Sequence, residues 1–148
     1  MWTIRQIQKI FPAWIAWFFI LLDFCWEFPQ ILVGAIVKLV YIKYGSREVE
    51  TYKLGKCQIQ NWGMTSGVSL GWWQFTSPYA TKDTASHECG HSITSLIMGW
   101  LYLPTAGLFS LVWCGIIHPR VGGSYYRVWP ELSANYWSGA YGGYPPKK

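Results

Sequence analysis

The chain has 148 residues, 51% of them apolar and only 13% charged, against about 25% charged in an ordinary soluble domain. That is too little charge to cover a small soluble protein, and eleven Trp and ten Tyr favour the membrane–water boundary, so the expected partner is a lipid membrane. The net charge of +5 comes from basic residues scattered from Arg5 to Lys148, with no stripe of the kind that binds nucleic acid.

In chain order, Arg5 and Lys9 precede IFPAWIAWFFILL, thirteen uncharged residues. This resembles the basic and apolar regions of a signal peptide, but DFCWEFPQ follows where small cleavage-site residues belong, so the segment is expected to be retained. Apolar character resumes as ILVGAIVKLVYI after Pro29. Thirteen helical residues reach about 20 Å, short of the roughly 30 Å hydrocarbon core. Two arrangements fit: a single tilted span over residues 7 to 28 followed by an interfacial helix, or a shallow hairpin turning between Asp23 and Gln30. The hairpin is preferred because it leaves basic residues on one side at both ends.

Residues 44 to 76 contain TYKLGKCQIQNWG and SGVSLGWWQF, short glycine-punctuated runs rich in strand formers. They predict a small antiparallel sheet of two or three strands. SPYATKDT is a polar break in which Asp83 or Thr84 is the expected cap of the next helix, running to about Gly99 or Trp100. From Ser92 to Ile117 there is no charged side chain in twenty-six residues. Pro104 favours an extended Leu103 and places a turn at LYLP, followed by an apolar helix or re-entrant segment from about Thr105 to Ile117. HPRVGGSYY reads as a loop and RVWPELSANYWSG as a short helix starting near Pro130. The tail GAYGGYPPKK carries no helical pattern. Cys25, Cys57, Cys89 and Cys114 form no CxxC pair, so nothing supports a cysteine zinc knuckle or redox motif.

The chemistry is concentrated in SHECGH. His87 and His91, four apart on a helix, share one face and can reach one ion, and neutral imidazole is a good zinc ligand. Glu88 lies about 100° round the helix, beside the metal but off the ligand axis, where it can move protons as a general base. Gly90 permits close approach of another backbone. Catalytic zinc sites use three protein ligands and keep one position open, so a third ligand is needed. Glu131 in PELSAN is the only acid downstream of His91. Asn135 follows it on the same helical face, placed to bond a ligand imidazole, and Ala134 is small enough for close packing. Glu131 would equally suit the first turn of a helix for its dipole alone. His118 competes as third ligand, and His118, Arg120, Tyr125 and Tyr126 are alternative oxyanion donors.

HExxH followed downstream by ExxA[DN] resembles the gluzincin metallopeptidases, which include membrane-embedded members such as the prenyl-protein endopeptidases. The layout of WEFPQ, SGVSLG, SHECGH, LYLPTAGLFSL and WPELSAN is also similar to that of small bacterial membrane proteins. The resemblance implies Zn2+ held by His87, His91 and Glu131, with Glu88 as catalytic base and a peptide or protein substrate. It also implies that SGVSLGWWQF forms an edge strand on which a peptide could add. Asn135 stands where the pattern usually has Asp, and lowers the expected basicity of the imidazole it bonds.

The expectation is an α+β protein of the bacterial cytoplasmic membrane. A membrane-anchoring segment at 1–43 precedes a zinc metallopeptidase-like unit at 44–138 and a flexible tail at 139–148. The rival expectation is a non-catalytic membrane scaffold or partner subunit, stabilised by a zinc site that His118 or Cys114 closes with a fourth ligand.

Overall fold

The computed structural model describes residues 12–43, 51–53, 56–60, 62, 64 and 66–142. The basic region around Arg5 and Lys9 and the last six residues of the tail lie outside them.

Helix α1 (Ala13–Trp26) begins after Pro12, and α2 (Phe28–Lys43) carries Pro29 in its first turn, where a missing N–H costs nothing. Their axes meet at 86°. The corner falls inside the interval expected for the turn, but it is a right angle and not a hairpin. The backbone ladder runs through it: Glu27 N–H donates to the Asp23 carbonyl at 2.8 Å and Ile31 N–H to the Glu27 carbonyl at 3.0 Å. That continuity leaves no free residues for a full reversal.

Among the described residues the sheet has four strands, β1 (Thr51–Lys53), β2 (Lys56–Gln60), β3 (Val68–Leu70) and β4 (Trp73–Thr76), in the order β1-β2-β4-β3. β1 pairs antiparallel with β2, and β3 with β4, but β2 and β4 run parallel, Cys57 opposite Trp73 through Gln60 opposite Thr76. The sheet is therefore mixed, with one strand more than the two or three expected. SGVSLGWWQF is not one strand: Gly71 takes a φ of +56°, which glycine adopts freely, and folds the run into a hairpin with Leu70 opposite Trp73. Ile59, Trp62, Leu70 and Phe75 make the buried core, with Val37 of α2 and Leu103 packed against it.

Helix α3 (Lys82–Met98) is capped by Thr81, whose hydroxyl accepts from the Thr84 N–H at 3.2 Å. Thr81 thus takes the place expected for Asp83 or Thr84, and Asp83 sits in the first turn, where the helix dipole favours an acid. After Gly99–Leu101 the chain bends by 113° into a helical stretch from Leu103 to Val121, with wide turns at Leu103–Gly107 and Trp113–Ile117 flanking α4 (Leu108–Val112). The turn at LYLP is present, but Leu103 is itself helical and Pro104 lies in the first turn of this stretch. His118–Val121 (α5) is also helical, so the loop expected at HPRVGGSYY begins only at Gly122. Helix α6 (Glu131–Ser138) follows Pro130, and Ala140–Gly142 adds a tight turn, so the start of the tail is ordered and Ala140 is buried.

The N-terminal corner is clamped to the end of α3. The Trp26 indole donates to the Leu96 carbonyl at 2.8 Å and the Trp100 indole to the Cys25 carbonyl at 2.7 Å. Beneath them Ser95 donates to the buried Glu27 carboxylate, and the Gln30 amide donates to Ser95 Oγ and the Gly99 carbonyl. The architecture is α+β. No single described helix is long and apolar enough to cross a membrane, although the two bent pairs, α1 with α2 and α3 with the Leu103–Val121 stretch, have the necessary length and composition together.

Candidate metal centre

Helices α3 and α6 cross at Gly90 and Ala134. A Cβ on Gly90 would stand 1.9 Å from the Ala134 carbonyl oxygen, so only glycine admits this crossing. It carries His87 and His91 of α3 up to Glu131 of α6, and all three are buried.

His87 Nε2, His91 Nε2 and Glu131 Oε2 form a near-equilateral triangle, with sides of 3.1 Å between the imidazoles and 2.9 and 3.2 Å to the carboxylate. Ligand bonds of about 2.0–2.1 Å at tetrahedral angles would put donors about 3.3 Å apart, so an ion fits with a shift of a few tenths of an ångström. Asn135 Oδ1 lies 2.7 Å from His87 Nδ1, a contact that holds the ring with Nε2 turned to Glu131. Both imidazoles bond the Glu131 carboxylate through Nε2, and a metal ion would replace the protons of those bonds. His87, His91 and Glu131 are thus a group able to hold a metal ion.

The second Glu131 oxygen accepts from Ser110 on α4 at 2.5 Å. Burial by itself raises the Glu131 pKa, but the bonds to His87 and His91 outweigh it and hold the carboxylate below its usual range. For His91, burial disfavours the imidazolium, and the Glu131 bond and charge more than reverse this, so its pKa rises.

Glu88 packs against Gly67, just before edge strand β3. Burial raises its pKa, with His91 and His87 partly opposing, and its Oε2 has no hydrogen-bond partner among the described residues. A carboxyl whose pKa is raised by burial and that keeps a free oxygen is a candidate for proton exchange.

No family model, curated protein or solved structure matches this chain. Its chemistry is therefore read from the centre itself.

His118 does not join the group: its ring faces Trp113 and Tyr125, with Nε2 3.2 Å from the Gly123 carbonyl. Cys114 is exposed, and Arg120 donates to the Ile116 carbonyl. Among the described residues no fourth His, Cys, Asp or Glu completes the triangle. Tyr126 lies edge-on to His87 at 5.1 Å between ring centroids, but its hydroxyl donates to Tyr141 at 3.1 Å. Tyr141 stacks on Tyr126 and reaches Thr84 on α3.

Sequence reasoning misses Ser110 and Tyr141. Ser110 has a signal, a hydroxyl within the apolar GLFSLVW that needs a partner when buried. Tyr141 has none, because its role depends on a positive φ of 51°. Behind the centre, Ser69 of β3 and Gln74 of β4 both bond Ser92, at 2.7 and 2.9 Å, and tie α3 to the sheet.

Proposed function

We propose that this chain is a membrane-associated zinc metallopeptidase of gluzincin type. The reading is carried by one observation: three buried donors, two from HECGH and one from PELSAN, converge within 3.2 Å of one another, with Glu88 beside them.

His87, His91 and Glu131 would hold zinc, which when bound supplies Lewis-acid polarisation of a carbonyl and acidifies water. This chain's own groups would do the rest. Glu88 takes a proton from the attacking water and passes it to the amide nitrogen as the C–N bond breaks. The water oxygen ends in the new carboxyl group. Asn135 fixes the ring and tautomer of His87, and Ser110 fixes the carboxylate of Glu131. Edge strand β3, unpaired on its outer side among the described strands, suits a peptide laid along it. The surface of α1, α2 and the end of α3, crowded with exposed Trp, Phe, Leu and Ile, supports seating on a bilayer.

The test is metal analysis and peptide hydrolysis by purified protein, set against Glu88→Gln. The expected result is one zinc per chain in both, with hydrolysis only in the parent. Zinc retained in the parent with no hydrolysis across a peptide library would favour a zinc-stabilised scaffold.

A further inference from the structure

The three donors of the centre are sealed from solvent. His87 is 5% exposed, His91 7% and Glu131 0%, so an ion, a water molecule or a substrate carbonyl reaches them only when a neighbour moves. Most neighbours are tied down. Helix α6 meets α3 main chain to main chain at Gly90 and Ala134. Strand β3 is held to α3 by the buried Ser69–Ser92 bond at 2.7 Å, and α4 by Ser110, bonded to Glu131. None of these can retreat without breaking a buried bond or the crossing itself.

The remaining neighbour is the turn Ala140–Gly142. Tyr141 stacks on Tyr126 with ring centroids 4.6 Å apart, and the two rings stand 6.5 and 5.1 Å from the His87 ring. Both tyrosines are half-buried, so they lie between solvent and the first ligand. Two hydroxyl contacts hold Tyr141 there: it accepts from Tyr126 at 3.1 Å and meets Thr84 at 3.3 Å. Its backbone works against them. A φ of +51° is rare for a bulky side chain and persists only where the surroundings impose it. Gly142 follows at φ +80°, and no atom of the described residues lies within 4 Å of where its Cβ would stand. Ala140, by contrast, is buried, and its N–H donates to Ser138 Oγ at 3.2 Å. The turn is rooted at Ala140, strained at Tyr141 and has room to move at Gly142.

We infer that Tyr141 is a gate over the metal centre. Closed, its ring and that of Tyr126 cover the His87 side of the triangle. Released from Thr84 and Tyr126, Tyr141 relaxes to an ordinary negative φ and carries its ring off the stack, which uncovers that side. The gate controls the passage of zinc as well as of any substrate, so it rests on the zinc-binding part of the reading above and not on peptide hydrolysis.

The test is zinc exchange by the full-length protein, followed by stopped flow with a fluorescent chelator. Release is measured from zinc-loaded protein, uptake by zinc-free protein, and affinity by competition at the same pH. Tyr141→Gly removes the ring and suits the positive φ, so the backbone of the turn is preserved. Thr84→Val keeps the ring and removes one of its two hydroxyl partners. An open state populated at about 0.1–10% slows passage by about 10–1,000-fold. Tyr141→Gly should therefore speed uptake and release alike by about 10-fold or more, with affinity unchanged, and Thr84→Val should fall between it and the parent. Faster release with unchanged uptake, and so weaker affinity, would make Tyr141 a support for His87 and overturn the gate. Rates equal to the parent's in Tyr141→Gly, or in Thr84→Val where the first variant does not fold, would overturn the gate and leave the zinc centre standing. A parent that takes up no zinc would overturn gate and centre together.

Discussion

Gly90 and Ala134 meet main chain to main chain, so closely that a Cβ on Gly90 would fall 1.9 Å from the Ala134 carbonyl oxygen. In an exposed helix Gly→Ala stabilises by about 1 kcal/mol. Here the sign should invert. Gly90→Ala must push α6 away from α3, and overpacking of this kind costs typically about 1–3 kcal/mol. The same displacement carries Glu131 away from the imidazoles. The expected outcome is a lower melting temperature and loss of bound zinc, read by thermal denaturation and metal analysis. A variant that melts higher and keeps its zinc would contradict the crossing.

Asn135 reaches the centre through His87, its Oδ1 2.7 Å from the ring Nδ1. Removing its carbonyl oxygen frees the His87 ring to turn and to change tautomer. Asn135→Ala should therefore weaken zinc binding by about 10–100-fold. Asn135→Asp keeps the acceptor and adds charge, so affinity should match or exceed that of the parent. Competition titration against a chelator measures both, and three indistinguishable affinities would sever Asn135 from the centre.

The centre is legible in the sequence because helices translate spacing into direction. His87, His91, Glu131 and Asn135 need only a period of 3.6 residues, and scarce charge makes each acid conspicuous. Strand pairing has no such local rule. TYKLGKCQIQ and SGVSLGWWQF announce strands, but the parallel match of Cys57 with Trp73 is set by packing between distant segments. The break at Gly71 leaves only a one-residue phase shift in the apolar alternation, from Val68, Leu70 and Trp72 to Trp73 and Phe75, which the adjacent pair of Trp disguises. Thr81 does not stand out as the cap because Asp83 and Thr84 are equally good capping types. The corner at Glu27 is legible in position but not in angle, which depends on the Trp26 and Trp100 bonds to partners some seventy residues away.

Gly67 is a means of moving Glu88 without touching the ligands. A Cβ there would lie 2.2 Å from Glu88 Oε1, so Gly67→Ala should turn the carboxylate aside. General-base contributions are typically about 10²–10⁴-fold, and the variant should lose a large share of that in kcat while keeping one zinc per chain. Zinc lost together with activity would mean that Gly67 supports the fold and not the position of Glu88.

Stability against pH should run in opposite directions with and without metal. In chelator-treated protein, His91 has a pKa raised above 6.5, with burial opposing and Glu131 prevailing, and Glu88 has one raised above 4.5 by burial. A raised folded-state pKa contributes stability that is fully present below the unfolded value and is lost as pH climbs through the folded one. Glu131 is lowered, so its contribution is present above 4.5 and disappears only as pH falls through its depressed value. Between roughly pH 5 and 8, metal-free protein should therefore melt at lower temperature as pH rises. Zinc binding requires deprotonated ligands and releases protons, so zinc-loaded protein should melt at higher temperature over the same interval. Thermal melts across this range, with and without zinc, measure both slopes. Parallel slopes would mean that protons and metal do not compete for the same three donors.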